Sequence, residues 1–183
     1  MGTKKVGIFV GSLRKDAFSK RVAACMSHMF NSNFAVEFVE LDNLCMFNQD
    51  FDDEGRTPAE WVAFREKVSS LDAFLFVTPE YNRSIPAVLK NALDIASRPH
   101  GVNRWDSKPA AVAGVTPGSL GATMGVRSLR VPLEFLNVRL MMQPEVYLAH
   151  ADQMFDEQGN LNAHSAKFLQ TFIDAFMTWI EKE

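Results

Sequence analysis

The chain has 183 residues, a formal charge of −3, 47% hydrophobic and 22% charged side chains, the make-up of one ordinary globular domain spanning residues 1–183. Fifteen phenylalanines and three tryptophans supply a core and exclude intrinsic disorder, while the mild acidity argues against a protein that coats nucleic acid or anionic membranes. Two cysteines, Cys25 and Cys45, cannot build a disulfide framework and suit a reducing compartment.

In chain order, Val6-Gly7-Ile8-Phe9-Val10 reads as a strand buried on both faces, stopped by Gly11-Ser12. Val22, Cys25, Met26, Met29 and Phe30 follow at helical spacing. Phe34 to Leu41 reads as a second strand, with Phe34, Val36 and Phe38 on one side. A polar loop from Asn48 to Arg56 leads to Thr57-Pro58-Ala59-Glu60, the pattern of a helix start with Thr57 as its cap. Trp61, Phe64, Val68 and Leu71 make that helix's buried stripe. Ala73 to Val77 is the third strand, closed by Thr78-Pro79. Pro86 opens a helix with Val88, Leu89, Ala92, Leu93 and Ala96 inward. Ala110 to Val115 is the fourth strand, and Thr116-Pro117-Gly118-Ser119 turns into a helix ending at Leu136. Leu140 to Leu148 is the fifth strand, with Pro144 pointing to an edge position or bulge. Phe168, Leu169, Phe172, Ile173, Phe176 and Ile180 form the last amphipathic helix.

The basic start, Met1 to Lys5, is followed by only five apolar residues, too few for a secretory leader. The uncharged run from Pro109 to Val126 carries two prolines and four glycines, which argues against a membrane helix. The expectation is a soluble cytoplasmic protein with no nucleic-acid partner. Strands alternating with helices require right-handed crossovers and helices on both sheet faces, so the fold class is α/β: a doubly wound three-layer sandwich on a five-stranded parallel sheet. Ligands of such sheets bind beyond the carboxyl ends of the strands, here in the loops after strands one, three and four.

The first loop, Gly11-Ser12-Leu13-Arg14-Lys15-Asp16-Ala17-Phe18-Ser19, combines a tight turn, hydroxyls and a guanidinium at a helix N-terminus, which suits a phosphate. The alternative is a polar loop whose serines cap the helix. It carries neither G-x-x-x-x-G-K-[ST] nor G-x-G-x-x-G, so a terminal monophosphate fits better than a nucleoside triphosphate or a dinucleotide. In the second loop, Thr78 to Pro86, two prolines stiffen a segment that offers Tyr81 and Asn82 to a planar heterocycle; a tyrosine packed on its neighbours is the plainer reading. The third loop, Thr116 to Ala122, is glycine-rich, and Gly121 and Gly125 serve either a close-lying ligand or close helix packing.

These loops, with Leu89-Lys90-Asn91-Ala92-Leu93-Asp94, Leu129-Arg130 and Pro144-Glu145, resemble the NAD(P)H-dependent FMN reductase family, particularly its chromate- and quinone-reducing branch. The resemblance implies a flavodoxin-like α/β/α sandwich with strand order 2-1-3-4-5 and FMN as cofactor. It implies that Ser12, Arg14 and Ser19 hold the FMN phosphate and that Pro79, Glu80, Tyr81 and Asn82 line the isoalloxazine, with Ser84 close by. Pro117, Gly118, Ser119 and Gly121 match the family's glycine-rich wall. The chain departs from the family pattern at Ala17, Ser19, Ala122 and Arg83, where serine, asparagine, glycine and tyrosine are common.

The resemblance further implies an oxidoreductase taking hydride from NAD(P)H as co-substrate by a ping-pong mechanism. Its acceptors would be small molecules: quinones, free flavins, azo compounds or chromate. It also implies a homodimer or homotetramer, with an interface near Pro86 and Leu120 beside Arg83, Arg127 and Arg130. No side chain is expected to serve as general acid or base, because the flavin carries the chemistry. His28, His100, His150 and His164 lack metal-ligand spacing, so no metal site is expected. A flavodoxin-like electron carrier and a phosphate-ligand binding module are the rival readings.

Overall fold

The computed structural model of the chain describes residues 2–182. Three long parallel pairings build the sheet from β1 (Lys4–Val10), β2 (Phe34–Phe38), β3 (Ala73–Thr78) and β4 (Pro109–Val115), closed at one edge by two short strands, β5 (Arg139–Leu140) and β6 (Val146–Leu148). The spatial order is β2-β1-β3-β4-β5, with β6 also pairing to β4, which is the flavodoxin-like order expected from the sequence. The fifth strand is therefore present but divided. The Met141 N–H still donates to the Ala110 carbonyl at 2.8 Å, and the break falls over the residues that follow, where Pro144 has no N–H to give.

The nearly continuous apolar runs of the central strands are sorted by the period of two. Val6 and Ile8, Leu75 and Val77, and Ala111 and Ala113 face one core. That core is covered by α1 (Phe18–Ser27) and α6 (Ala163–Glu181), through residues such as Val22, Met26, Phe172 and Phe176. Phe9, Phe74, Phe76 and Val112 face the other core, under α3 (Ala59–Ser70), α4 (Ala87–Ala96) and α5 (Thr123–Phe135). There Trp105 stands edge-on to Phe74 at 4.9 Å, Phe9 stacks on Phe76 at 5.1 Å, and the indole N–H donates to the Leu93 carbonyl. Such aromatic pairs add about 0.5–1.5 kcal/mol each beyond their buried area. The result is the three-layer arrangement that alternating elements require.

Two expectations are corrected here. β2 ends at Phe38 rather than Leu41, and Phe38 itself is exposed, whereas Val39 and Leu41 beyond it are buried in the core. Thr57 does not cap α3: the Ncap position is Pro58, and the Thr57 hydroxyl donates to Asp52 at 2.8 Å. Asp52 lies on a one-turn helix, α2 (Asp50–Asp53), inside what reads in sequence as a polar loop. Its carboxylate takes both Arg65 guanidinium nitrogens, at 2.7 and 2.6 Å, while Arg65 Nε donates to the Ile95 carbonyl. Thr57 is thus drawn into a buried ion pair that joins α2, α3 and α4.

The Arg65 hydrogen bonds, with those of Thr57 and the nearby Arg104 charge, hold the Asp52 carboxyl below the usual carboxylate range against the cost of burial. A depressed native value means the pair stabilises the fold fully above the unfolded carboxyl value near ~4, and the contribution disappears as pH falls through the native value. Asp52→Ala, which leaves Arg65 buried and unpaired, is expected to cost about 3–5 kcal/mol in urea unfolding at neutral pH. The difference from wild type should shrink in acid; a difference that stays constant well below the carboxylate range contradicts this account.

Candidate functional site

Because β1, β3 and β4 are parallel neighbours, the loops that follow them emerge at one sheet edge. After β1, the Gly11 N–H donates to the Val77 carbonyl, and a side chain on Gly11 would lie 2.8 Å from Leu89 Cδ1 and 3.0 Å from Pro79 Cδ. The first loop is thereby pressed onto the second. Ser12 is buried, its Oγ accepting from the Arg14 backbone N–H at 3.3 Å and lying 3.4 Å from the Tyr81 hydroxyl. Arg14 is exposed, and Lys20 Nζ donates to the Leu13 carbonyl.

The capping alternative for the serines is not what the fold adopts. Ala17 is the Ncap residue of α1, no side chain caps that helix, and no acid stands in its first turn. Its first amides therefore lack helical acceptors. Ser19 lies within the first turn, 2% exposed, and its Oγ is buried without a hydrogen-bond partner. An unpaired buried hydroxyl costs about 1–3 kcal/mol, so its presence beside free helix amides fits a ligand oxygen. Backbone amides, two hydroxyls and a guanidinium together form a donor set that suits a phosphate group.

After β3, Tyr81 and Ser84 exchange both backbone hydrogen bonds at 3.0 Å and close a two-residue hairpin. Asn82 and Arg83 occupy its corner with φ of 50° and 65°. A left-handed non-glycine residue costs about 1–3 kcal/mol and persists only where its surroundings hold it. Tyr81, Asn82 and Ser84 are exposed on this hairpin. The Glu80 carboxylate is engaged by protein donors. Its Oε2 accepts the backbone N–H groups of Met124 and Gly125, at 2.9 and 3.1 Å, and its Oε1 accepts from Arg83 at 2.9 Å.

After β4, Pro117, Gly118 and Ser119 are exposed. The Thr116 hydroxyl accepts from the Gly118 N–H, and the Gly118 carbonyl accepts from the His150 N–H, which fixes the turn. Gly121 is not at this surface. It has φ +60°, and a side chain on it would meet the Tyr147 backbone at 2.7 Å. Gly125 is also closely packed: a side chain on it would lie 3.0 Å from the Pro79 carbonyl oxygen. Ala122 is itself left-handed with φ 59°.

Several matching residues turn out to support the loops. Asn91 is buried, donating to the Leu44 and Cys45 carbonyls and accepting the Phe47 N–H, so it anchors the loop after β2. Arg130 and Tyr147 both donate to Glu145 Oε1, at 2.9 and 2.6 Å, across the break in the fifth strand. The Tyr147 bond, then that of Arg130, lowers the Glu145 carboxyl, while burial and then Glu145 raise the Tyr147 phenol. The Glu80 bonds to the start of α5 escaped sequence reading; Gly125 was their one visible signal. Among the described residues no cluster of three or more His, Cys, Asp or Glu side chains could hold a metal, and no helix is long and apolar enough to cross a membrane.

Residues 4–153 match the family described as NADPH-dependent FMN reductase. A quinone reductase of Pseudomonas putida strain KT2440 is 42% identical over 176 residues, covering 96% of this chain and 94% of that one. A 2-hydroxy-1,4-benzoquinone reductase of a Burkholderia species is 40% identical over 177 residues, covering 96% of each. The solved structure of FerB, a flavoenzyme NAD(P)H:(acceptor) oxidoreductase from Paracoccus denitrificans, superimposes with a TM-score of 0.91 at 35% identity, covering 98% of each chain. The same sheet order, an anion-seeking helix start after β1 and sequence similarity along nearly the whole length lead to one conclusion: this chain belongs to the NADPH-dependent FMN reductase family.

Proposed function

We propose that this chain is an FMN-dependent oxidoreductase that accepts hydride from NAD(P)H and delivers the electrons to quinones, with its FMN held at the edge described above. The observation that carries the reading is the orphaned Ser19 hydroxyl beneath an uncapped α1, with Arg14 alongside. Ser12, Arg14, Ser19 and the first amides of α1 would bind the phosphate. The backbone of Pro79 to Asn82, stiffened by its hairpin, would meet the ring edge, with Ser84 beside it and Pro117 to Ser119 as the opposite wall. The chemistry FMN supplies when bound is two-electron transfer between nicotinamide and acceptor. The protein's own work is to orient: no side chain is assigned as general acid or base. Quinones are favoured as acceptors because the two relatives of 40% identity or more described above are named for them. Free flavins, azo compounds and chromate belong in the same assay.

The loops form an open edge, so a second subunit would complete the wall over the ring. α5 offers a surface for it. Leu120, Met124, Val131 and Phe135 are all exposed, Phe135 to 87%, and they are spaced symmetrically about Arg127 and Ser128. Two antiparallel copies of α5 would bring Met124 against Val131, the self-matching pattern of a two-fold interface, with Phe135 at the helix end and Leu120 in the turn before it. Glu145, whose carboxyl senses the charges of Arg127 and Arg130, would offset the cations near the axis.

Arg14→Ala is expected to weaken FMN binding by about 1.5–3 kcal/mol, the range of a charged hydrogen bond, and to leave riboflavin nearly unaffected. Ser19→Ala should also weaken FMN binding while raising the stability of the apoprotein by about 1 kcal/mol, because it removes an unpaired buried hydroxyl. Titration and thermal melting of the apoproteins decide both, and equal losses for the two flavins would remove Arg14 from the phosphate site.

If nicotinamide and acceptor use the same face in turn, double-reciprocal plots against quinone at several NAD(P)H concentrations should be parallel. Intersecting lines would contradict a shared face.

Light scattering should give two or four times 20.5 kDa, and Phe135→Asp should shift the protein to monomer with loss of NAD(P)H oxidation. A fully active 20.5 kDa wild-type monomer would overturn the shared wall.

A further inference from the structure

We propose that Glu80 is a positioning residue whose carboxylate, held by the first amides of α5, locks the loop after β3 to that helix so that the flavin ring meets a preformed surface. The proposal rests on the FMN reading above and assigns Glu80 a task other than touching the ring. Its two oxygens are already engaged by three protein donors: the N–H groups of Met124 and Gly125 and the guanidinium of Arg83. Only 11% of the side chain is exposed.

The start of α5 needs such a partner. Its Ncap residue, Ala122, has no side-chain oxygen, and its first turn contains no acid. The positive end of the helix dipole and its orphan amides favour a carboxylate there, and Glu80 supplies one from 44 residues upstream. A second contact works in parallel. A side chain on Gly125 would lie 3.0 Å from the Pro79 carbonyl oxygen and 3.2 Å from Glu80 Cα, so the helix backbone lies directly on the stem of the loop. Hydrogen bonds and backbone packing thus join the same two segments.

What they hold is a strained element. The hairpin immediately after Glu80 carries two left-handed non-glycine residues, Asn82 and Arg83, a conformation that needs support from its surroundings. The support is at the stem. The three donors are not equivalent, however. The Arg83 side chain is 64% exposed, where an ion pair contributes little, whereas both amide bonds are charge-assisted and that of Gly125 is partly buried. The lock is therefore Glu80 to α5, and Arg83 is an accessory. Because the loop meets the ring and not the phosphate, loosening it should weaken every flavin alike, unlike a change at Arg14.

The test titrates the apoproteins of wild type, Glu80→Ala, Glu80→Gln, Gly125→Ala, Arg83→Ala and Arg14→Ala with FMN and with riboflavin, after thermal melting verifies folding. It also measures amide hydrogen exchange at Met124 and Gly125 without flavin. Glu80→Ala and Gly125→Ala are expected to weaken FMN and riboflavin by the same factor, about tenfold, in line with losing a charged hydrogen bond. Exchange at Met124 and Gly125 should speed up in Glu80→Ala. Glu80→Gln keeps an acceptor oxygen and should recover most of both effects, while Arg83→Ala should change neither affinity more than about twofold. Unchanged riboflavin affinity in Glu80→Ala, unchanged exchange, or a loss confined to FMN would overturn the lock. If Arg14→Ala still loses FMN selectively while the Glu80 variants bind normally, the lock fails and the FMN reading stands. If no protein in the series binds flavin, the FMN reading fails, and the lock proposed to serve it falls too.

Discussion

The close approach of the first loop and the start of α5 to Pro79 and Glu80 is the constraint on which the proposed site depends. A side chain on Gly11 would crowd the Pro79 ring and the Leu89 methyl at 3.0 and 2.8 Å, and one on Gly125 would crowd the Pro79 carbonyl oxygen and Glu80 Cα at 3.0 and 3.2 Å. Parallel strands deliver the loops to one edge, but strand geometry alone leaves them several ångströms apart. Glycine lets the backbones touch, and the Glu80 carboxylate then adds directional bonds to the helix behind. Bulk introduced at either glycine would push these segments apart and, in the proposed site, separate the phosphate side from the ring side.

That arrangement explains why the chain shows so few chemically forceful side chains at the edge. A flavin brings its own reactivity, so the protein needs to hold a phosphate, a planar ring and an open face. In the proposed site, helix amides and buried hydroxyls would do the first, with an unpaired hydroxyl at Ser19 as the cost in the apoprotein. The hairpin with its two left-handed residues would do the second. Short loops would leave the third open to nicotinamide and acceptor.

Much of this was legible in the sequence because it is local. Buried strands were readable from Val6 to Val10 and from Ala73 to Val77, and Pro144 announced the break in the fifth strand. The same holds for Ser12, Arg14 and Ser19, whose place after β1 follows from the order of elements alone. What could not be read depends on partners distant along the chain. Thr57 carries every mark of a helix cap, yet Asp52 competes for its hydroxyl once Arg65 has drawn that aspartate inward. Glu80 sits in a motif that resembles a ligand loop, but its oxygens are claimed by amides 44 and 45 residues on. Gly121 looks like a ligand wall until β6 is placed behind it, 2.7 Å from where a side chain would begin.

The measurement that tests the central claim most directly is an anaerobic optical titration of the purified chain. Reconstitution with FMN should yield one flavin per chain, its visible absorbance should bleach on addition of one equivalent of NADH or NADPH, and one equivalent of a benzoquinone should restore it. A chain that takes up no FMN, or one whose flavin is bleached by neither nicotinamide, or is bleached but not restored by quinone, would contradict the account.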